Sequence, residues 1–263
     1  MASASAEETS NQNGANYFLL YAAENGILQG VEEALKAGAD IDFDHVHDEV
    51  DYSSGTALNL ASRWGHVDVV KLLLHRGASM AKRCRDSIAP LHAAAAEGRT
   101  EVVELLVYHG ATVDIRDALQ NTPLMTACYF NHVDTVRRLI ELGAKADMTD
   151  DALAKSYGIS AEKLDCCGES VKLIREARKT KLLRCCNPKC GKPGYRKTLK
   201  LCAQCKLVRY CSRDCQKQHW SAGHKKCCGQ DAYTGERPPD PLKMFKFMAK
   251  QAIEEARARL AKK

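Results

Sequence analysis

The chain has 263 residues, enough for one large domain or two small ones. Hydrophobic residues make up 45% and charged residues 27%, an ordinary globular balance, while 6% aromatics argue against an aromatic stacking surface. No apolar run approaches the roughly 18 residues that span a bilayer. Residues 1–10 are small and acidic, without the basic-then-apolar order of a secretory leader, so none is expected.

Charge and cysteine are unevenly spread. Residues 1–170 carry 14 Lys+Arg against 26 Asp+Glu, residues 171–263 carry 25 against 7, and nine of the 13 cysteines fall within 185–228. An acidic front, a basic back and one cysteine cluster predict two domains. Without a leader, dense cysteines read as metal ligands rather than disulfides.

Residues 1–15 are expected to be disordered. From residue 16 the chain repeats. Gly-Ala pairs stand at Gly38-Ala39, Gly77-Ala78, Gly110-Ala111 and Gly143-Ala144, with the last two steps 33 residues each. Nineteen residues before each glycine is a leucine (Leu19, Leu58, Leu91, Leu124). Alanine follows three residues later (Ala22, Ala61, Ala94, Ala127), and valine precedes each glycine by seven (Val31, Val70, Val103, Val136). Each unit predicts two short helices. The first has a small-residue face and ends at Gly26, Gly65, Gly98 or Asn131, residue types that accept the left-handed conformation of a sharp stop. The second carries the apolar stripe and ends at the Gly-Ala pair.

This pattern, with Ala89-Pro90-Leu91-His92-Ala93-Ala94 and Thr122-Pro123-Leu124, resembles the ankyrin repeat. The resemblance implies an α-solenoid over 16–179, with four clear units and a degenerate fifth whose second helix holds Val171, Leu173 and Ile174. It also implies protein recognition on a concave face. His92 is then a structural residue bonded to a neighbouring turn, and His66 and His132 have structural accounts too. The first step is six residues longer, around Asp42 to Asp51. His45 and His47 among these acids read as a solvated, lengthened hairpin rather than a metal site.

The cysteine cluster forms four pairs: Cys186/Cys190, Cys202/Cys205, Cys211/Cys215 and His224/Cys228. Eight thiolate and imidazole donors suit two closed tetrahedral Zn2+ sites. Cys185 and Cys227 each sit beside an expected ligand and compete with Cys186 and Cys228 for that role. The remaining cysteines, Cys84, Cys128, Cys166 and Cys167, are expected in repeat helices.

With Tyr210-Cys211, His219-Trp220 and the spacing of His224 to Cys228, residues 185–228 resemble the MYND-type zinc finger. In that family the pairs interleave. The resemblance implies one zinc on Cys186, Cys190, Cys211 and Cys215, and another on Cys202, Cys205, His224 and Cys228. Cys186-x3-Cys190 departs from the commoner two-residue spacing. His219 falls on a surface position of the family. The family binds short proline-containing peptides as an added strand, which places a groove at Lys206, Tyr210, Gln216 and Trp220.

Enzymatic readings fit poorly. A redox Cys-x-x-Cys needs no further ligands, and a catalytic zinc needs an open coordination position. A RING-type ligase places its histidine earlier, and a methyltransferase needs flanking segments that are missing here. The basic back half offers nucleic-acid association as the alternative class, weakened by the scarcity of interleaved aromatics. A linker over 229–240 precedes an amphipathic helix over 241–261, entered through Asp240-Pro241.

The sequence thus predicts a mainly α protein: a solenoid, a small cross-braced zinc finger and a C-terminal helix. The predicted role is a non-catalytic adaptor that binds proteins, located in the cytoplasm, the nucleus or both.

Overall fold

The computed structural model describes residues 2–44, 55–84, 87–146, 168–180, 182–195, 198–205 and 207–228. The linker and the amphipathic helix expected over 229–261 lie outside these residues, as do His45, His47, Lys206, Cys166 and Cys167.

The four repeats fold as helix pairs in chain order. They are α1 (Ala2–Glu24) with α2 (Leu28–Lys36), α3 (Ala57–Trp64) with α4 (Val67–His75), α5 (Pro90–Ala96) with α6 (Thr100–Tyr108), and α7 (Pro123–Tyr129) with α8 (Val133–Glu141). The aligned leucine, alanine and valine columns are all buried and belong to one apolar cluster. Each such leucine or valine contributes about 1.5–3 kcal/mol by leaving water. The small alanine faces let α1, α3, α5 and α7 pack on one another in succession. Pro90 and Pro123 occupy the first turn of α5 and α7, where a missing N–H costs nothing.

The helix stops follow from backbone chemistry. Gly26, Gly65, Gly98 and Asn131 all take positive φ, as the residue types imply. Over each of the three glycines lies a polar side chain from the next repeat. His66 Nε2 meets the Glu24 carbonyl at 2.8 Å, Arg99 Nε donates to Arg63 O at 3.2 Å, and His132 Nε2 meets Ala96 O at 2.8 Å. These carbonyls are ones that a helix end leaves unpaired, so one repeat caps the one before it. His92 acts likewise within the hairpins, with Nε2 3.0 Å from the Asn121 carbonyl.

One expectation needs correction here. Cys84 lies in the loop before α5, not in a helix, whereas Cys128 is buried in α7.

Where a degenerate fifth unit was expected, α9 (Gly168–Thr180) packs on α8, with Val171 and Ile174 buried. The finger follows. β1 (Leu182–Arg184) pairs antiparallel with β2 (Pro193–Tyr195), and β3 (Lys200–Leu201) with β4 (Arg209–Tyr210). Then comes α10 (Arg213–His219), whose N-cap Ser212 accepts from Cys215 N at 3.2 Å. A wider turn over Trp220–His224 and a last helical turn, Lys225–Cys227, close the domain. Among the described residues, no helix is long and apolar enough to cross a membrane.

Candidate metal centre

The short ladders exist to present cysteines. Cys185 leaves β1, and Cys190 sits in the turn before β2. Cys202 leaves β3, and Cys205 lies in the turn toward β4. Cys211 follows β4, Cys215 stands in the first turn of α10, and His224 and Cys228 close the last described turns. Two groups result: Cys185, Cys190, Cys211 and Cys215, and Cys202, Cys205, His224 and Cys228. Within each group the donor atoms all lie within 4.8 Å of one another. The first and third pairs meet, as do the second and fourth, so the cross-bracing is present in the fold.

The spacing fits zinc. Zn–S bonds of about 2.3 Å in a tetrahedron give S···S edges of about 3.8 Å. Cys190–Cys211, Cys211–Cys215 and Cys202–Cys228 stand at 3.6, 3.5 and 3.6 Å, and Cys205 Sγ lies 3.6 Å from His224 Nε2. Such separations are far too long for disulfides. Burial pushes the Cys185 and Cys228 thiols up. Burial also opposes ionisation of Cys215, but hydrogen bonds from Ser212 and Cys211 bring it down to about 7. A divalent cation is the charge that would let four such thiols ionise side by side.

One expected ligand is displaced. Cys185, not Cys186, joins the first group. The Cys185 sulfur accepts from Cys211 N at 3.5 Å. The Cys186 sulfur turns the other way, 3.9 Å from the Gly143 carbonyl and accepting from Arg209 N at 3.3 Å. Burial, with Asp114 nearby, pushes the Cys186 thiol up to about 12, as befits a packed apolar group. Adjacent residues beyond a strand point to opposite sides, so only one of the two can face the metal. Cys228 keeps its expected place, and Cys227 is buried outside the group.

Two other expectations change. Tyr210 was placed in the peptide groove, but its side chain is 1% exposed and its hydroxyl lies 2.9 Å from His219 Nδ1. His219 was placed at the surface, yet it is 1% exposed. Both rings fill the interior that a small finger otherwise lacks. Gln216 and Trp220 are half-buried near the hairpin, and Leu201 on β3 is exposed. Trp220 stands edge-on to His224 with centroids 6.0 Å apart. No spacing rule would have singled out His219 or Cys185; each is distinguished only by packing.

Comparison with known proteins agrees with this architecture. The family model "Ankyrin repeats (3 copies)" matches residues 3–84 and 80–150, more than half of the chain, and "MYND finger" matches 185–228. The chain belongs to the ankyrin-repeat family and carries a C-terminal MYND-type zinc finger. It is similar to an "Ankyrin repeat and KH domain-containing protein" of Caenorhabditis briggsae, 40% identical over 62 residues, 24% of this chain and 2% of that protein. It is also similar to "Ubiquitin carboxyl-terminal hydrolase 17" of Arabidopsis thaliana, 53% identical over 36 residues, 14% of this chain and 5% of that protein. The chain therefore spans only a small part of the curated relatives it matches.

Proposed function

We propose that the protein is a non-catalytic adaptor, with the ankyrin stack holding one protein and the finger holding a short proline-containing peptide. The observation that carries this reading is the closure of both donor groups. Each offers four protein ligands to one ion, which leaves no coordination position for water or substrate. A similarity covering 5% of a hydrolase brings no reaction to this chain. The repeats meanwhile expose Tyr17, Tyr21, Trp64 and Tyr108, large side chains of the kind that anchor protein interfaces.

On the finger, a peptide would lie along the β3–β4 hairpin and gain backbone bonds at its edge, with Leu201, Gln216 and Trp220 beside it. Tyr210 would contribute only its main chain. We place the protein in the cytoplasm, the nucleus or both, where reduced cysteines are available to zinc. The test is titration of the full zinc-loaded chain with a library of labelled proline-containing peptides. Binding is expected, weakened about tenfold or more by Trp220→Ala, since an aromatic anchor contributes on the order of 2 kcal/mol. The absence of any peptide binding, or turnover of a substrate by the pure chain, would refute the reading.

A further inference from the structure

We propose that the ankyrin stack is part of the second metal centre. The Gly110 carbonyl of the third repeat orients His224, and the turns that end α4, α6 and α8 form the seat on which the finger folds. The proposal rests on the zinc reading above.

The four glycines of the Gly-Ala pairs occupy equivalent places, all with positive φ (+88, +94, +102 and +100 for Gly38, Gly77, Gly110 and Gly143). Their surroundings differ. Around Gly38 a Cβ would meet open space. Gly77 has the Lys226 ammonium as its neighbour, a cation near the end of α4, where the helix dipole favours positive charge. At Gly110 the backbone of Gly223 and His224 comes so close that a Cβ would collide with it. At Gly143 a Cβ would lie 3.2 Å from the Arg184 carbonyl and 3.3 Å from the Cys186 sulfur. Three successive positions of one repeat column touch one finger, so the finger lies along that column.

The contact is made from both sides. Gly223 has φ +147 and presses against the His109 carbonyl, with Met80 at its edge, a place that admits no side chain. Cys186 packs where Lys145 pairs with buried Asp114 (3.6 Å). His224 has no exposed surface, and its backbone lies against Gly110 of the stack.

The imidazole geometry links this seat to the metal. Nε2 of His224 lies 3.6 Å from the Cys205 sulfur in the donor group, while Nδ1 is buried without a hydrogen-bond partner on a ring that the Gly110 carbonyl influences. A neutral imidazole that ligates through Nε2 carries its proton on Nδ1 and donates it to an outer acceptor. The proposal assigns that role to the Gly110 carbonyl of the third repeat, which lies against the His224 backbone and would take up the unpartnered Nδ1 once the site is loaded. His219 is stacked on His224, and its Nε2 is likewise buried without a hydrogen-bond partner. Loading the site fastens finger to stack, and the stack holds His224 ready for the ion.

The test is hydrogen exchange of the full zinc-loaded chain, with and without a chelator. Removing zinc is expected to speed exchange of the amides at 109–111 by about tenfold or more, because the finger no longer covers them. Gly110→Ala and Gly38→Ala serve as a matched pair. Both place a methyl at a left-handed position and share that backbone cost, but only the first meets the finger. Gly110→Ala is expected to release one of two zinc ions to a chromogenic chelator about 10- to 100-fold more readily, and Gly38→Ala to behave as wild type. Unchanged exchange at 109–111, or equal release by both variants from a zinc-loaded protein, overturns the docking and leaves the zinc reading intact. A native chain that carries no zinc by mass spectrometry overturns both.

Discussion

His219 lies flat against His224, with ring centroids 5.1 Å apart and planes inclined by 6°. Only His224 belongs to a donor group. Burial, with His224 alongside, pushes His219 down to about 3, so its ring is neutral. The Tyr210 hydroxyl lies 2.9 Å from Nδ1, either atom donating according to the tautomer, and Nε2 is buried without a hydrogen-bond partner. His219→Ala should therefore strand the buried Tyr210 hydroxyl and destabilise the zinc-loaded chain by about 1–3 kcal/mol. The double change Tyr210→Phe with His219→Phe removes both polar partners and should restore most of that loss. Thermal unfolding of the three proteins decides it: a double variant no better than His219→Ala would show that packing, not hydrogen bonding, gives the pair its value.

The displaced ligand gives a second prediction. Cys185→Ser should leave one zinc ion in native mass spectrometry, because its sulfur faces Cys190, Cys211 and Cys215. Cys186→Ala should keep both ions, since it loses only a thiol packed near Gly143. The reverse pattern would return Cys186 to the ligand set.

The two sites should also differ in how readily they give up metal. Cys190 of the first group is exposed and Cys211 and Cys215 are half-buried, whereas three of the four donors of the second group are buried. A chelator should strip the first group early and the second late. Cys215→Ser should then leave only slow release, and Cys205→Ser only fast release. A single phase in the wild type would contradict the assignment.

Much of this architecture can be read from residue spacing, because repeats impose a period and metal ligands come in pairs. Leu91 and its column mates are buried where the 33-residue register puts them, and Cys202, Cys205 and Cys228 meet where pairing puts them. Spacing is silent on direction. It does not say which of Cys185 and Cys186 faces inward, because that depends on how β1 enters the turn. It is equally silent on contacts between modules. Gly110 reads as one repeat glycine among four, and only the folded chain shows His224 against it.

His92 yields a prediction about pH. Burial holds its imidazole below the ordinary value of 6.5, against the opposing pull of Asp117 and of the Asn121 carbonyl. As pH falls below 6.5, the unfolded chain takes up a proton that the folded one resists. Stability from this group is therefore complete above that value and lost as pH falls below it. His92→Asn removes the titration but also the bond to Asn121 O, and should cost about 1–3 kcal/mol at pH 7. Urea unfolding at pH 7 and pH 5 separates these effects. Protonation of zinc ligands acts on both proteins and cancels in the comparison. The wild-type midpoint should fall more between the two pH values than that of the variant. Equal falls would mean that His92 does not govern the acid sensitivity of the stack.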